Sequence, residues 1–139
     1  MPTGGPRDDP TRIVSVAVTV DDVVTALEAN RRSDRHVVLR ITPPFSGRMR
    51  ARLHRPDADA DTDAVHLDPA TLVDDPPPYP TPDETADRLR ETGEYSRERQ
   101  YDRHTTAVQD WREAVGESIV DAVELPTADG HRVDVAALG

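Results

Sequence analysis

Apolar residues along this chain recur with two different periods, and each change of period marks an element. Val14, Val16, Val18 and Val20 occupy every second position of a β-branched run. That spacing predicts a strand with one apolar face. Asp21 and Asp22 follow as helix-capping residues, and Val23, Val24 and Leu27 step at helical spacing, so a helix is expected to end near Asn30. Val37, Leu39 and Ile41 then alternate with His36, Val38, Arg40 and Thr42, which reads as a second strand with one apolar face. The turn Pro43-Pro44-Phe45-Ser46-Gly47 leads into a third strand over 48–54. Its alternation puts Met49, Ala51 and Leu53 inward and Arg48, Arg50, Arg52 and His54 outward. The second and third strands are expected to pair as a hairpin, and 64–67 reads as a short fourth strand.

Beyond residue 80 the period becomes helical. Thr81 stands as N-cap, Pro82 as the first helical residue and Glu84 three positions after the cap, a capping box whose helix should stop near Gly93. Tyr101, His104, Val108, Trp111, Val115, Ile119 and Ala122 recur at spacings of three and four, predicting one long amphipathic helix over 96–122. Asp129-Gly130 is a hairpin-type turn signal, with Val133 and Val135 in a last strand. The fold class is therefore α+β: a small, mostly antiparallel sheet with helices packed on one face, including the long C-terminal helix. Residues 1–11 read as a disordered leader, and 12–139 as a single domain. That domain carries an acidic loop at 56–63 and a Pro-rich connector at 74–82.

Composition adds a solvation argument. Of 139 residues 35% are apolar and 32% charged, so the core is thin. The formal charge is −10, lysine is absent, all 17 basic residues are Arg, and Asp outnumbers Glu. An acidic, lysine-free surface suits a protein that must stay hydrated in molar salt, because short carboxylates hold water while long Lys stems expose apolar surface. GC-rich coding pushes composition the same way. The absence of Cys excludes disulfides, thiol nucleophiles and Cys-ligated zinc. No apolar run approaches membrane-spanning length and no secretory signal opens the chain, so a cytoplasmic protein with no membrane association is expected.

Charge is also segregated. Residues 31–55 hold eight Arg against the single acid Asp34, a net +7, which leaves −17 for the remainder. With the expected hairpin, Arg48, Arg50, Arg52 and His54 share one sheet face, which His36 and Arg40 join, and Ser46 and Gly47 at its mouth add backbone N–H donors. Arg40, Ser46, Arg48, Arg50, Arg52 and His54 make the candidate anion-binding site. Arginine suits the task because its planar fork binds phosphate or carboxylate bidentately. Three occupants stand open: carboxylates of the same chain or of a second copy, a protein partner, or nucleic acid. High salt counts against nucleic acid, since counterion-release affinity falls steeply with salt. Phe45 is the only aromatic nearby, which leaves little to stack bases on.

No other motif carries chemistry. Asp57, Asp59, Asp61, Asp63 and Asp68 imitate an EF-hand frame, but Thr62 stands where the turn glycine is required and Asp68 where a bidentate Glu is required. His36, His54, His66, His104 and His131 form no metal-ligand pair at helical spacing. His104 reads as a hydrogen-bonded boundary residue of the long helix. Neither a nucleophile elbow nor a phosphate-binding glycine loop occurs. Pro76-Pro77-Pro78-Tyr79 reads as a rigid spacer rather than a peptide ligand. No catalytic residue, metal or cofactor is expected. The expected function is a non-enzymatic interaction or regulatory module that acts as a homodimer or with a protein partner; the alternative is nucleic-acid or other polyanion binding through the arginine-rich 36–54 segment.

The run from Val38 through Thr42-Pro43-Pro44-Phe45-Ser46-Gly47 to His54, followed by Val65-His66-Leu67-Asp68-Pro69 and by Gln100-Tyr101-Asp102-Arg103-His104 through Trp111, resembles a haloarchaeal protein family of unknown function. The resemblance covers nearly the whole chain after residue 11. It implies a haloarchaeal source and a single domain, and it brings no activity, cofactor or site residue.

Overall fold

The structure is a computed structural model that describes residues 9–56 and 63–139. The 1–8 part of the expected leader and most of the acidic loop lie outside the described residues. The chain divides into two compact units, one built from the chain up to Asp74 together with Ile119–Gly139, the other from Asp75–Ser118.

In the first unit a short 3-10 turn (Pro10–Arg12) leads into strand β1 (Ser15–Thr19) and helix α1 (Val20–Arg32). Val16 and Val18 are fully buried, as their period required, whereas Val14 precedes the strand and is 64% exposed. The cap of α1 is Thr19, whose Oγ1 accepts from the Asp22 N–H at 3.0 Å. Asp21 and Asp22 instead sit in the first turn, where their charge favours the positive end of the helix dipole. Val23, Val24, Ala26 and Leu27 form the buried stripe, and α1 runs two residues past Asn30. Asn30 then reaches the next strand. Its Nδ2 donates to the Val37 carbonyl at 2.9 Å and its Oδ1 accepts from the Val37 N–H at 2.7 Å.

The strands that follow are β2 (Val38–Ile41), β3 (Arg48–Arg50), β4 (Arg52–His54) and β5 (Val65–Leu67), and the unit closes with β6 (Ala122–Glu124) and β7 (Arg132–Leu138). They make two sheets. One has the order β3-β1-β7-β6, with β1 parallel to both β3 and β7 and β6 antiparallel to β7. The other has the order β4-β2-β5 and is antiparallel throughout. Among the described residues three of the five pairings are thus antiparallel, and with three α-helices the fold is α+β. Helix α1 packs against β1, β2 and β4, so it touches both sheets. The fully buried Ile13, Leu27, Leu39, Ile41, Leu67, Leu72 and Leu125 all lie in this unit, each contributing roughly 2 kcal/mol of burial.

The expected third strand is the main correction. Residues 48–54 do not form one arm of a hairpin. The β4 half pairs antiparallel with β2 as expected, with Arg52 opposite Arg40 and Leu53 opposite Leu39. The β3 half belongs to the other sheet, where Arg48 lies opposite Ser15 and Arg50 opposite Ala17. Ala51, fully buried, is where the chain passes from one sheet to the other; its N–H donates to Ala17 O at 3.0 Å, the last bond on the β1 side. A small side chain at the crossing lets the two sheets approach. Leu53, expected inward, is 43% exposed because β4 is an edge strand. In β2, Val38 is buried along with Leu39 and Ile41, so this central strand is apolar on both faces apart from Arg40.

The second unit is a pair of packed helices, α2 (Pro82–Glu91) and α3 (Arg97–Glu117). Thr81 Oγ1 accepts from the Glu84 N–H at 3.2 Å, the cap that the sequence specifies. At the other end Gly93 takes φ +74°, and the Gly93 and Glu94 N–H groups donate to the Arg90 and Leu89 carbonyls. That is a left-handed helix stop of the Schellman type. The long helix is shorter than its apolar stripe suggested. It ends at Glu117; Ile119 leaves it to bridge with Val73, and Ala122 opens β6. The stripe overran because strand residues happened to continue the helical spacing. Trp111 is buried in its unit, where its Nε1 donates to the Pro77 carbonyl at 2.9 Å and its ring meets Tyr79 edge-on at 4.9 Å. The proline connector is therefore part of the helical unit. Among the described residues no helix is long and apolar enough to cross a membrane.

Candidate functional site

Splitting 48–54 between two sheets divides the candidate residues into two groups. In the three-stranded sheet, Arg40 lies between Arg52 on β4 and His66 on β5 as direct cross-strand partners. His54 lies opposite Val38, and its ring stands 5.4 Å from that of His66 at a tilt of 37°. The period of two puts Val38, Arg40, Arg52, His54 and His66 on one face. Arg40, His54 and His66 are half-buried there, and Arg52 is exposed. His54 Nε2 is buried without a hydrogen-bond partner. His66 belongs to this cluster although the spacing argument left it out; its contribution came from a strand whose register only the sheet reveals.

Arg48 and Arg50 belong to the other group, on β3 at the edge of the four-stranded sheet. Both are exposed. The chain continues directly into β4, also an edge strand, so Arg48, Arg50 and Arg52 lie on successive edge strands of the two sheets. No described carboxylate of this unit pairs with any of the three; the described ion pairs, such as Arg32–Glu28, Arg90–Asp87 and Arg99–Glu94, lie elsewhere. The acidic loop that could have supplied partners lies outside the described residues apart from Asp63.

Ser46 stands in the segment that leads into β3. Its hydroxyl donates to the Arg48 carbonyl at 3.0 Å and approaches Met49 Sδ at 3.6 Å, so it shapes the turn into β3. Gly47 likewise contributes its carbonyl, which accepts from the Val14 and Ser15 N–H groups. Phe45 is 2% exposed and is a core residue, unavailable for stacking on a base.

The helical unit holds a separate cavity of about 290 Å³ between α2 and α3, with Leu89 and Ala107 in its walls and Arg88, Arg103, Glu94 and Asp110 around it. Both signs of charge line it, so it has no preference for an anion. His104, expected to be hydrogen-bonded, instead has Nδ1 buried with no partner. Among the described residues no group of three or more His, Asp or Glu is placed to hold a metal ion.

The geometry defines a two-sheet α+β protein with an open arginine edge. The chain belongs to the family described as Domain of unknown function (DUF8009), which it matches over residues 3–139. No curated protein and no solved structure matches it.

Proposed function

We propose that this protein is a non-enzymatic interaction module of a halophilic, haloarchaeal cell, resident in the cytoplasm, that docks an acidic protein surface on Arg48, Arg50 and Arg52. One observation carries the reading: three exposed arginines on two successive edge strands, with no described carboxylate of their own unit paired to them, in a chain with 27 acidic residues. A single charge suffices to keep an edge strand from pairing with another chain. Three uncompensated arginines exceed that need and match a row of carboxylates. The absence of Lys and the excess of Asp support the halophilic setting, where only short-range, bidentate contacts survive a Debye length of about 3 Å.

Nucleic acid is the less favoured partner. Buried Phe45 offers no stacking platform, and the −17 remainder of the chain repels a phosphate backbone. The test is fluorescence anisotropy in molar KCl with labelled poly-aspartate and with a labelled oligonucleotide. The wild type should bind poly-aspartate. Replacing Arg48, Arg50 and Arg52 together by Gln should weaken it by about tenfold or more, the scale of one to two kcal/mol over three charge-assisted contacts. Binding of the oligonucleotide alone would transfer the edge to a nucleic-acid role. If the wild type binds neither, the edge is only a guard against strand pairing.

A further inference from the structure

The four-stranded sheet has a second open edge, and its chemistry is the reverse of the first. β7 pairs with β1 along Asp134–Leu138, but β6 covers β7 only as far as Asp134. The chain that would continue β6 alongside Ala137 turns away: Ile119 bridges with Val73, and the Val120 N–H donates to the Leu72 carbonyl. Ala136, Ala137 and Leu138 are all exposed, Leu138 at 45%.

The hydrogen-bond pattern says which backbone groups this leaves open. The Asp134 N–H donates to Val14 O, on the β1 side, and the Val135 N–H donates to Asp121 O, on the β6 side. Successive residues of a strand direct their N–H and C=O groups to opposite sides. Ala136 and Leu138 therefore bond toward β1, and the N–H and C=O of Ala137 point out of the sheet with no described partner.

This edge also lacks the protection the other strands carry. β3 presents Arg48 and Arg50, β4 presents Arg52, and β6 presents Glu124. From Val135 to Leu138 there is no charge in a chain that is 32% charged. An exposed, uncharged strand edge is a template for pairing with another strand.

We propose that two copies of this protein pair antiparallel through β7 about a two-fold axis at Ala137. In that arrangement each Ala137 N–H donates to the Ala137 carbonyl of the other copy, and Leu138 lies opposite Ala136. The pairing is self-complementary, as a two-fold interface requires, and it brings no like charges together along 135–138. The pairing joins two four-stranded sheets into one and leaves both arginine edges at its outer ends. Few residues take part, so the dimer is weak and strengthens with salt, which screens the repulsion between two chains of charge −10.

The test is sedimentation velocity of the full chain over a wide concentration series in molar KCl. The wild type should shift from monomer to dimer within the series. Ala137→Pro deletes an N–H that the monomer does not use, so it should weaken dimerisation by about tenfold or more while its thermal midpoint stays near that of the wild type. Ala136→Pro deletes a bond to β1 and should lower the midpoint, which checks the alternation itself. Leu138→Asp, a change at an exposed side chain, should weaken the dimer without relying on proline. A wild type that stays monomeric throughout overturns the proposal, and so does a dimer that both Ala137→Pro and Leu138→Asp leave intact.

Discussion

Asn30 joins the end of α1 to the start of β2 with both halves of its amide. A hydrogen bond contributes about 1 kcal/mol net, and a buried backbone group left unpaired costs about 1–3 kcal/mol. Val37 is buried, so removing the amide strands its N–H and C=O. Asn30→Ala should therefore destabilise the protein by about 2 kcal/mol in urea titration. Asn30→Asp keeps the acceptor for the Val37 N–H but loses the donor to its carbonyl, and should fall between Ala and the wild type. Equal stability of all three would mean that the clamp contributes nothing. None of this was readable at Asn30, which looked only like a helix terminus. Its partner lies seven residues on, across a turn whose path the apolar pattern does not record.

Elements were legible where a local rule suffices. The cap at Thr81 and the stop at Gly93 depend on residues within one turn of each other, and both stand where the sequence puts them. They also separate two glycines by cause. Gly93 has φ +74°, and an added Cβ would meet nothing within 4 Å, so Gly93→Ala should cost about 1 kcal/mol through backbone strain alone. At Gly47 a Cβ would make ordinary contact with Val14 Cγ2 at 3.9 Å and no such strain arises, so Gly47→Ala should be close to neutral. Thermal melts of the two variants check the contrast. Elements failed where two structures share one pattern. The 48–54 alternation is the same whether the strand stays in one sheet or changes sheets at Ala51, since neither choice disturbs a period of two. The stripe of α3 overran for a related reason, because Ile119 and Ala122 are apolar for the sake of the sheet unit.

At the scale of the molecule, composition makes the strongest testable statement. A chain of charge −10 repels itself, and raising KCl shortens the Debye length from about 10 Å at 0.1 M to about 3 Å at 1 M. The thermal midpoint should rise across that range in a melt followed by circular dichroism; a midpoint that stays level would remove salt adaptation from the functional reading. The sequence alone determined the charge segregation, the α+β class, the cap and stop of α2 and most of the buried positions, because each follows from composition or from neighbours within a few residues. Only the tertiary structure decided that the arginines divide between edge strands of two sheets, that His66 joins His54 and Arg40, and that Ala137 faces outward without a described partner. Those outcomes depend on which distant strand lies alongside. Strand pairing is made by backbone groups that are alike at every residue, so side-chain pattern constrains which face is buried far more than which strand is the neighbour.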